Sequence, residues 1–343
     1  MWRGRRYQAC FMLLLSRDVR SSQVARLSTV AASRVKIFYN DVYEVVLPPK
    51  HRFPMQKYKM VREIVQQEYK EAQVDFQISP KALRSELIST HCPIYVDRYM
   101  SGQLTDQEVR KTGFPRSGSN VDRALSSVGG TVAAMRAVLG SDARMAAHLA
   151  GGTHHAFRDY GEGFCIFSDI AVAANLALQE FPIQRVLIID LDVHQGNGNA
   201  KLFQEDPRVF TFSMHCRDNY FSEKQQSNID IELEAGVGDD EYLSKLKTWL
   251  PYLFHSVQPQ LVFFQAGVDI YEGDRLGKLK VSRRGLQQRN QLIFQYLTKR
   301  GVDCVVTMGG GYPRDLDPTS QSFQNVIQCH ADVYRSCIEH ALQ

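Results

Sequence analysis

The sequence lacks a long apolar run and any pairing pattern among its cysteines. The longest apolar run near the N-terminus, residues 10–15, is far shorter than the roughly 20 residues that span a bilayer. The seven cysteines are scattered without a CxxC pair, which indicates neither a disulfide framework nor a structural zinc site. These absences predict a globular protein without a membrane span, from a reducing compartment.

The first 34 residues have almost no acidic side chains. This leader contains seven arginines, no lysine and one acid, Asp18. The whole chain has 41 basic and 37 acidic residues, so without the leader 34 basic residues stand against 36 acidic ones. The basic character therefore belongs to the leader, and we expect no direct nucleic-acid binding by the fold.

The Arg-rich, Ser-rich and acid-poor composition of the leader is typical of an organellar transit peptide. We expect residues 1–34 to be a mitochondrial or plastid targeting segment, and residues 35–343 to form one catalytic domain. A disordered leader, a wrongly chosen start codon and a secretory signal are the alternatives. The nucleus or cytoplasm is the alternative location.

Apolar segments and helical periodicities alternate along the rest of the chain. Strands are predicted at 35–40, 144–149, 185–190, 208–214, 260–265 and 302–308. Helices are predicted at 56–72, 120–140, 168–180, 240–254, 282–299 and 320–342, with short helices over 80–112. Apolar strands separated by helices predict a largely parallel sheet covered on both faces, that is, a single-domain three-layer α/β/α fold.

Polar residues gather directly after four of the predicted strands. The segments are AGGTHHA with His154 and His155, DLDVHQGNG with Asp190, Asp192 and His194, AGVD with Asp269, and GGGY with Tyr312. Any one of these segments alone is more simply explained by a structural role, such as a hydrogen-bonded histidine or a glycine-rich turn. Because ligands bind at the carboxyl ends of strands in open α/β sheets, we expect the four segments to converge on one site.

One imidazole and two carboxylates in this set suit a divalent metal ion. Asp192 and His194 share a face of an extended chain, and Asp269 arrives from another strand. Three protein ligands leave a position open for water, which is the pattern of a catalytic site. Asp190 is too close to Asp192 for both to be assumed ligands, so we expect Asp190 to orient a histidine.

The remaining polar residues can transfer protons. The side chains of His154 and His155 are expected to diverge, to need separate partners and to titrate differently. One can act as general base and acid while the other stays charged, and the sequence leaves open which does which. Tyr312, on a glycine-rich turn, could donate to an oxyanion. With a metal-activated water, these groups predict an amide hydrolase.

These motifs resemble the zinc-dependent histone deacetylase superfamily, in the same order, over about residues 35–340. The segments HQGNG, GGTHHA, GFC and EGDRLGKLKVS are most similar to class IV deacetylases and their bacterial and plant relatives. The resemblance implies an arginase-like fold and hydrolysis of N-ε-acyl-lysine, in histones or other proteins, to lysine and a carboxylate. It leaves the length of the acyl chain open.

The resemblance also implies roles for individual residues. Asp192, His194 and Asp269 match the ligands of one zinc ion, for which Fe²⁺ is an alternative in the cell. His154 and His155 match the catalytic pair, and Tyr312 matches the transition-state tyrosine. Gly163 and Phe164 match one wall of the acyl-lysine tunnel, with Phe221 opposite. A structural K⁺ ion would bind Asp190, Asp192, His194, Ser213 and Met214.

The sequence departs from the classical deacetylases at two places. Asn197 stands where classes I and II carry an aspartate behind the second histidine, and it can orient His155 without raising its pKa as a carboxylate would. No acidic rim residue of the class I kind is found around 91–120. Hydrolysis of an acetylpolyamine or another small amide therefore stays open. An inactive scaffold and a two-metal hydrolase are disfavoured, since every motif residue is present but no further carboxylates flank the metal motifs.

Overall fold

A computed structural model describes residues 35–43, 45–48, 51–71, 73–140, 143–219 and 223–343. The leader, residues 1–34, and Phe221 lie outside the described residues. The targeting function of the leader and the tunnel role of Phe221 therefore stay predictions.

The centre of the molecule is one sheet of eight parallel strands. The strands run in the order β2-β1-β3-β8-β7-β4-β5-β6. They are β1 (Val35–Tyr39), β2 (Val74–Ile78), β3 (Met145–His148), β4 (Val186–Asp190), β5 (Val209–Cys216), β6 (Ile229–Leu233), β7 (Leu261–Gln265) and β8 (Asp303–Thr307). Helices cover both faces, so the predicted three-layer α/β/α class is confirmed.

Two strands, β2 and β6, were not predicted from the sequence. Both are edge strands, and their segments, VDFQI and IDIEL, alternate apolar and polar residues. Such alternation is typical of a strand with one solvated face, whereas the predicted strands were found as continuous apolar runs. A pattern of apolar residues therefore does not identify the two partly exposed strands.

Ten helices are found in the described part of the chain. They are α1 (Lys57–Glu68), α2 (Arg84–Leu87), α3 (Pro93–Met100), α4 (Asp106–Thr112), α5 (Gly118–Leu139), α6 (Asp169–Glu180), α7 (Asn197–Leu202), α8 (Asp239–Val257), α9 (Arg283–Arg300) and α10 (Gln321–Ala341). Serine hydroxyls accept backbone N–H bonds at the starts of α5, α6, α9 and α10, which explains where these helices begin. The short α7 was not predicted, because its sequence NGNAKL begins with asparagine and glycine residues of low helix propensity.

The two faces of the sheet form two separate apolar layers. In β4, Leu187 and Ile189 face the layer that includes α1, α8, α9 and α10, while Val186 and Ile188 face the layer that includes α5 and α6. All four side chains are buried, as expected for an interior parallel strand. None of the described helices is long and apolar enough to cross a membrane.

The register of the central strands places polar groups at one edge of the sheet. Asp190, the last residue of β4, is level with Gln265 of β7 on one side and Ser213 of β5 on the other. The segments that follow these strands therefore leave the sheet at the same height. This alignment is what brings the predicted motifs together.

Close packing of α5 against the chain before α2 can be tested by a single methyl group. A Cβ at Gly129 would overlap the carbonyl oxygen of Pro80, whereas a Cβ at Gly118 would meet nothing within 4 Å. We expect Gly129→Ala to lower the free energy of unfolding by about 1–3 kcal/mol through overpacking. Gly118→Ala, the matched control, should be neutral or slightly stabilising. Equal urea midpoints for the two variants would contradict this packing.

Candidate active site

Three possible metal ligands lie together beyond the carboxyl ends of β4 and β7. His194 Nδ1 lies 3.1 Å from Asp192 Oδ1 and 3.1 Å from Asp269 Oδ2. One ligand atom from each residue lies within 4.8 Å of the others, and no second group of this kind is found in the described residues. The three side chains therefore converge as a one-metal site requires.

The charges of this group call for a cation. Burial and the neighbouring Asp192 raise the pKa of Asp269 to about 6. Burial by itself would lower the pKa of His194, but its hydrogen bonds to Asp192 and Asp269 outweigh burial and raise that pKa to about 10. A proton on His194 thus supplies positive charge between two carboxylates. A divalent ion bound there would displace that proton.

The backbone around the three residues fits a metal site in shape as well as in charge. Gly310 N donates to Asp192 Oδ2 over 2.8 Å, and Val193 N donates to Asp269 Oδ1 over 2.9 Å. These bonds leave Asp192 Oδ1 and Asp269 Oδ2 turned toward His194. A Cβ at Gly310 would overlap the Asp269 carboxylate, so glycine is required for this close approach. One nitrogen and two carboxylate oxygens are a donor set that suits zinc.

The two neighbouring histidines have different partners. His154 Nδ1 lies 2.7 Å from Asp190 Oδ2, and His155 Nδ1 lies 2.8 Å from Asn197 Oδ1. The structure thus places Asp190 and Asn197 behind the histidines. The expected divergence of the two side chains is wrong, because their ring centroids are only 4.0 Å apart. The two rings lie side by side, tilted by 39°, while their Nδ1 atoms have the separate partners that were expected.

The hydrogen bonds of Asn197 determine which nitrogen of His155 carries the proton. Asn197 Nδ2 donates to Glu162 Oε1 (3.1 Å) and to the carbonyl oxygen of Glu223 (3.3 Å), and Asn197 Oδ1 accepts from Gly198 N (3.0 Å). Asn197 Oδ1 therefore faces His155, whose Nδ1 must be the donor. In the neutral ring, Nε2 is left with its lone pair and can accept a proton.

The pKa values of the two histidines are driven apart. Burial would lower the pKa of His154, but the Asp190 and Asp192 carboxylates outweigh it and raise that pKa to about 9. Burial and the charges of His154 and His194 hold the pKa of His155 well below its ordinary value. The structure therefore favours a charged His154 beside a neutral His155.

Tyr312 is positioned by a buried carboxyl that the sequence analysis did not single out. Tyr312 N donates to Asp274 Oδ2 over 2.6 Å, while Leu276 N and Gly277 N donate to Asp274 Oδ1 over 2.7 and 2.9 Å. Burial and Asp269 raise the pKa of Asp274 to about 8. Its place in the segment EGDRLGKLKVS was the available signal. Asp274 joins the loop after β7 to the loop after β8.

A buried lysine also donates hydrogen bonds to the Tyr312 loop. Lys57 Nζ donates to the carbonyl oxygens of Gly309 and Gly311 over 3.3 Å each, and it lies 5.4 Å from the centre of the Tyr312 ring. Burial lowers its pKa to about 8. This contact could not be predicted from the sequence, because a lysine at the start of a helix is ordinarily exposed.

The loop that carries the histidines is held by another buried acid, Asp169. Its carboxylate accepts hydrogen bonds from Gly152 N at 3.0 Å and from Thr153 N at 2.7 Å. The signal that could have found it is its place in the first turn of α6, directly after the capping Ser168. Asp169 fixes the backbone immediately before His154.

Gly163 and Phe164 form a wall of the cavity in front of the metal ligands. Both have left-handed backbones, with φ of +58° and +67°, which is unusual for a phenylalanine. The Phe164 ring lies 4.9 Å from that of Phe53 and 6.1 Å from that of Tyr312, centre to centre. A cavity of about 250 Å³ is lined by both residues and by His155, His194 and Tyr312. Asn219 also lines it, with Nδ2 3.2 Å from His194 Nε2.

The residues expected to hold a monovalent cation also lie in this region. Asp190 pairs in register with Ser213, and Met214 follows on β5. The Ser213 hydroxyl lies 2.9 Å from His215 Nδ1. The K⁺ ion itself stays a prediction.

Comparison with known proteins agrees with this arrangement. The histone deacetylase domain profile matches residues 51–329. An uncharacterized protein of Picosynechococcus sp. is 41% identical over 305 residues, which cover 87% of this chain and 99% of that protein. Histone deacetylase 2 of Arabidopsis thaliana is 31% identical over 82% of this chain and 76% of its own length. The chain belongs to the histone deacetylase family.

Membership of the histone deacetylase family makes the chain a deacetylase hydrolase. One relative is named for a substrate other than histones. Polyamine deacetylase HDAC10 of Rattus norvegicus is 32% identical over 49% of this chain and 31% of its own length. Membership therefore fixes the type of reaction but not the substrate. The class IV-like subtype stays a prediction.

The role of Asp274 in positioning Tyr312 can be tested by removing its carboxyl group. Asp274→Ala leaves three backbone N–H groups without acceptors, each costing roughly 1–3 kcal/mol when buried. We expect the free energy of unfolding to fall by at least about 3 kcal/mol and deacetylation to fall at least ~10-fold, because the Tyr312 backbone loses its carboxylate acceptor. Asp240→Ala, an exposed acid on α8, should change stability by about 1 kcal/mol at most. Wild-type turnover in Asp274→Ala would contradict this role.

Proposed function

We propose that the chain is a zinc-dependent hydrolase that removes acyl groups from N-ε-acyl-lysine in histones or other proteins. The observation that carries this proposal is that His194 of the Asp192–His194–Asp269 group, His155 of the histidine pair and Tyr312 all line one cavity. The Phe164 ring on its wall offers an apolar surface to the methylene groups of a lysine side chain.

The chain's own residues divide the chemistry among them. Bound to Asp192, His194 and Asp269, a zinc ion would polarise the acyl carbonyl and lower the pKa of a bound water. His155 is the proposed general base, because its Nδ1 donates to Asn197 and its Nε2 is left to take the proton of the attacking water. The same nitrogen then returns the proton to the lysine nitrogen as it leaves.

Two further groups compensate the charge that develops during attack. His154, charged through its bond to Asp190, provides a positive ring 4.0 Å from His155. The phenol of Tyr312, on a loop fixed by Asp274, can donate to the oxyanion of the acyl group. Both groups are buried and held by hydrogen-bonded elements before substrate arrives, which is the condition for electrostatic stabilisation of a transition state.

The substitution Tyr312→Phe removes the phenolic hydroxyl and keeps the ring. We expect turnover of an acetyl-lysine peptide to fall by about 100-fold or more, because one oxyanion donor is lost. Zinc content, measured by mass spectrometry, should be unchanged, since the hydroxyl is not a proposed ligand. Tyr252→Phe on α8 is the matched control and should keep wild-type turnover. If Tyr312→Phe does so as well, Tyr312 is not the oxyanion donor.

The substrate class can be tested with purified residues 35–343 loaded in turn with Zn²⁺ and Fe²⁺. We expect turnover of an acetyl-lysine peptide and a myristoyl-lysine peptide to exceed that of an acetylpolyamine, and a chelator to abolish it. Preference for the acetylpolyamine would instead support the second candidate, small-molecule deacetylation, which the similarity to polyamine deacetylase HDAC10 favours. No turnover of any of the three by metal-loaded protein would contradict the proposed function.

A further inference from the structure

The opening of the active-site cavity is bordered mainly by basic side chains. Arg52 and Lys278 line the cavity that contains Tyr312, and Asp218 is its acidic lining residue apart from the metal-site region. An adjoining cavity of about 290 Å³ shares Arg52 and Phe164 with the first and adds Arg110, together with Lys111 and Glu162. Basic side chains therefore outnumber acidic ones from the cavity to the surface beside the Phe164 wall.

Not all of these charges are available to a substrate. Lys111 Nζ lies 3.4 Å from the buried Glu162 carboxylate, so these two charges compensate each other. Arg52, Arg110 and Lys278 are exposed, and within the described part of the chain none of them has a carboxylate within 4.0 Å. We call these three residues the basic mouth.

The basic mouth is built on separate elements that hold it beside the reacting centre. The Arg52 guanidinium, in the segment before α1, lies 5.1 Å from the centre of the Phe164 ring. Arg110 is in the last turn of α4. Lys278 Nζ donates to the carbonyl oxygen of Asp218 over 2.6 Å, which leaves it two further N–H groups. A group just outside the cavity would thus meet positive charge from more than one element.

We propose that the basic mouth selects acyl-lysine residues that are flanked by acidic side chains, and that it disfavours polycationic amides such as acetylpolyamines. This inference rests on the proposed deacylase function. An extended chain advances about 3.3–3.6 Å per residue, so one or two residues on either side of the acyl-lysine lie within about 7 Å of it. This distance is shorter than the Debye length of about 8 Å at 0.15 M ionic strength. The Coulomb energy between the basic mouth and these flanking residues is attractive for Glu or Asp and repulsive for Lys or Arg.

The test uses the zinc-loaded protein and two acetyl-lysine peptides. The peptides differ only in having Glu or Lys at the two positions on each side of the acetyl-lysine. We expect kcat/KM to be about tenfold higher for the Glu peptide at low salt. The difference should shrink to within about twofold at 1 M salt, where the Debye length is about 3 Å. An acetylpolyamine should be a poorer substrate than either peptide at low salt.

Variants assign the preference to the basic mouth. Arg52→Gln with Lys278→Gln should remove most of the preference for the Glu peptide, and Lys278→Gln alone should remove part of it without touching the Phe164 ring. Lys299→Gln, an exposed charge in the last turn of α9, should keep the full preference. Equal kcat/KM for the two peptides in the wild type, or an unchanged preference in the double variant, would overturn this inference alone. Absence of turnover of every peptide would overturn the deacylase function as well.

Discussion

The structure depends on one electrostatic constraint, which is that two buried carboxylates, Asp192 and Asp269, face a single imidazole. Burial of two negative charges at this distance is costly unless a cation compensates them. The surrounding backbone supports the arrangement, since the N–H groups of Gly310 and Val193 hold the outer oxygens in place. The same constraint explains why glycines, not side chains, line this part of the site. The site is thus organised for a cation by the fold itself.

The parallel sheet is what makes this convergence possible. Each motif follows the carboxyl end of a strand, and adjacent strands in register deliver their loops to one edge. Core and site are therefore separate parts of the same strands. In β4, Leu187 and Ile189 stabilise one apolar layer, and the chain becomes polar from Asp190 onward. A substitution in the apolar part acts on stability, whereas one in the polar part acts on chemistry.

Much of the site could be predicted from the sequence because its residues are polar groups in an otherwise apolar context. Asp192, His194 and Asp269 stand out directly after buried strands, and the structure brings them together. Asp274 and Lys57 did not stand out, since a charged residue in a loop or at a helix start is ordinarily exposed. Only the tertiary structure shows that they are buried against the Tyr312 loop. Sequence periodicity describes local elements, whereas these two act through contacts far along the chain.

The fold was predictable to a similar extent and for a related reason. Interior strands are rich in apolar residues, which leaves few alternatives, and all six predicted strands are interior ones. Edge strands such as β2 and β6 owe their conformation to one neighbour and one solvated side. Their alternating sequences are also compatible with loops. Pairing with the sheet therefore decides their structure, and pairing is not visible in the segment itself.

His154 and His155 have identical side chains but different hydrogen-bond partners, Asp190 and Asn197, and the partners give them different roles. A carboxylate behind His154 stabilises its charged form, whereas an amide behind His155 orients that ring without a full negative charge. The two partners lie on the same segment, seven residues apart, so one segment orients both rings, whereas burial and the charges of His154 and His194 lower the pKa of His155. The proposed substrate preference depends on other segments, the loops and the helix end that bear Arg52, Arg110 and Lys278. The three side chains are exposed and lie outside the strand ends, although Arg52 lies against the Phe164 ring and the backbone of Lys278 donates to Asn219. We therefore expect substitutions of their charges to change substrate preference more than reaction type, as is usual when chemistry resides at strand ends and specificity in surface segments.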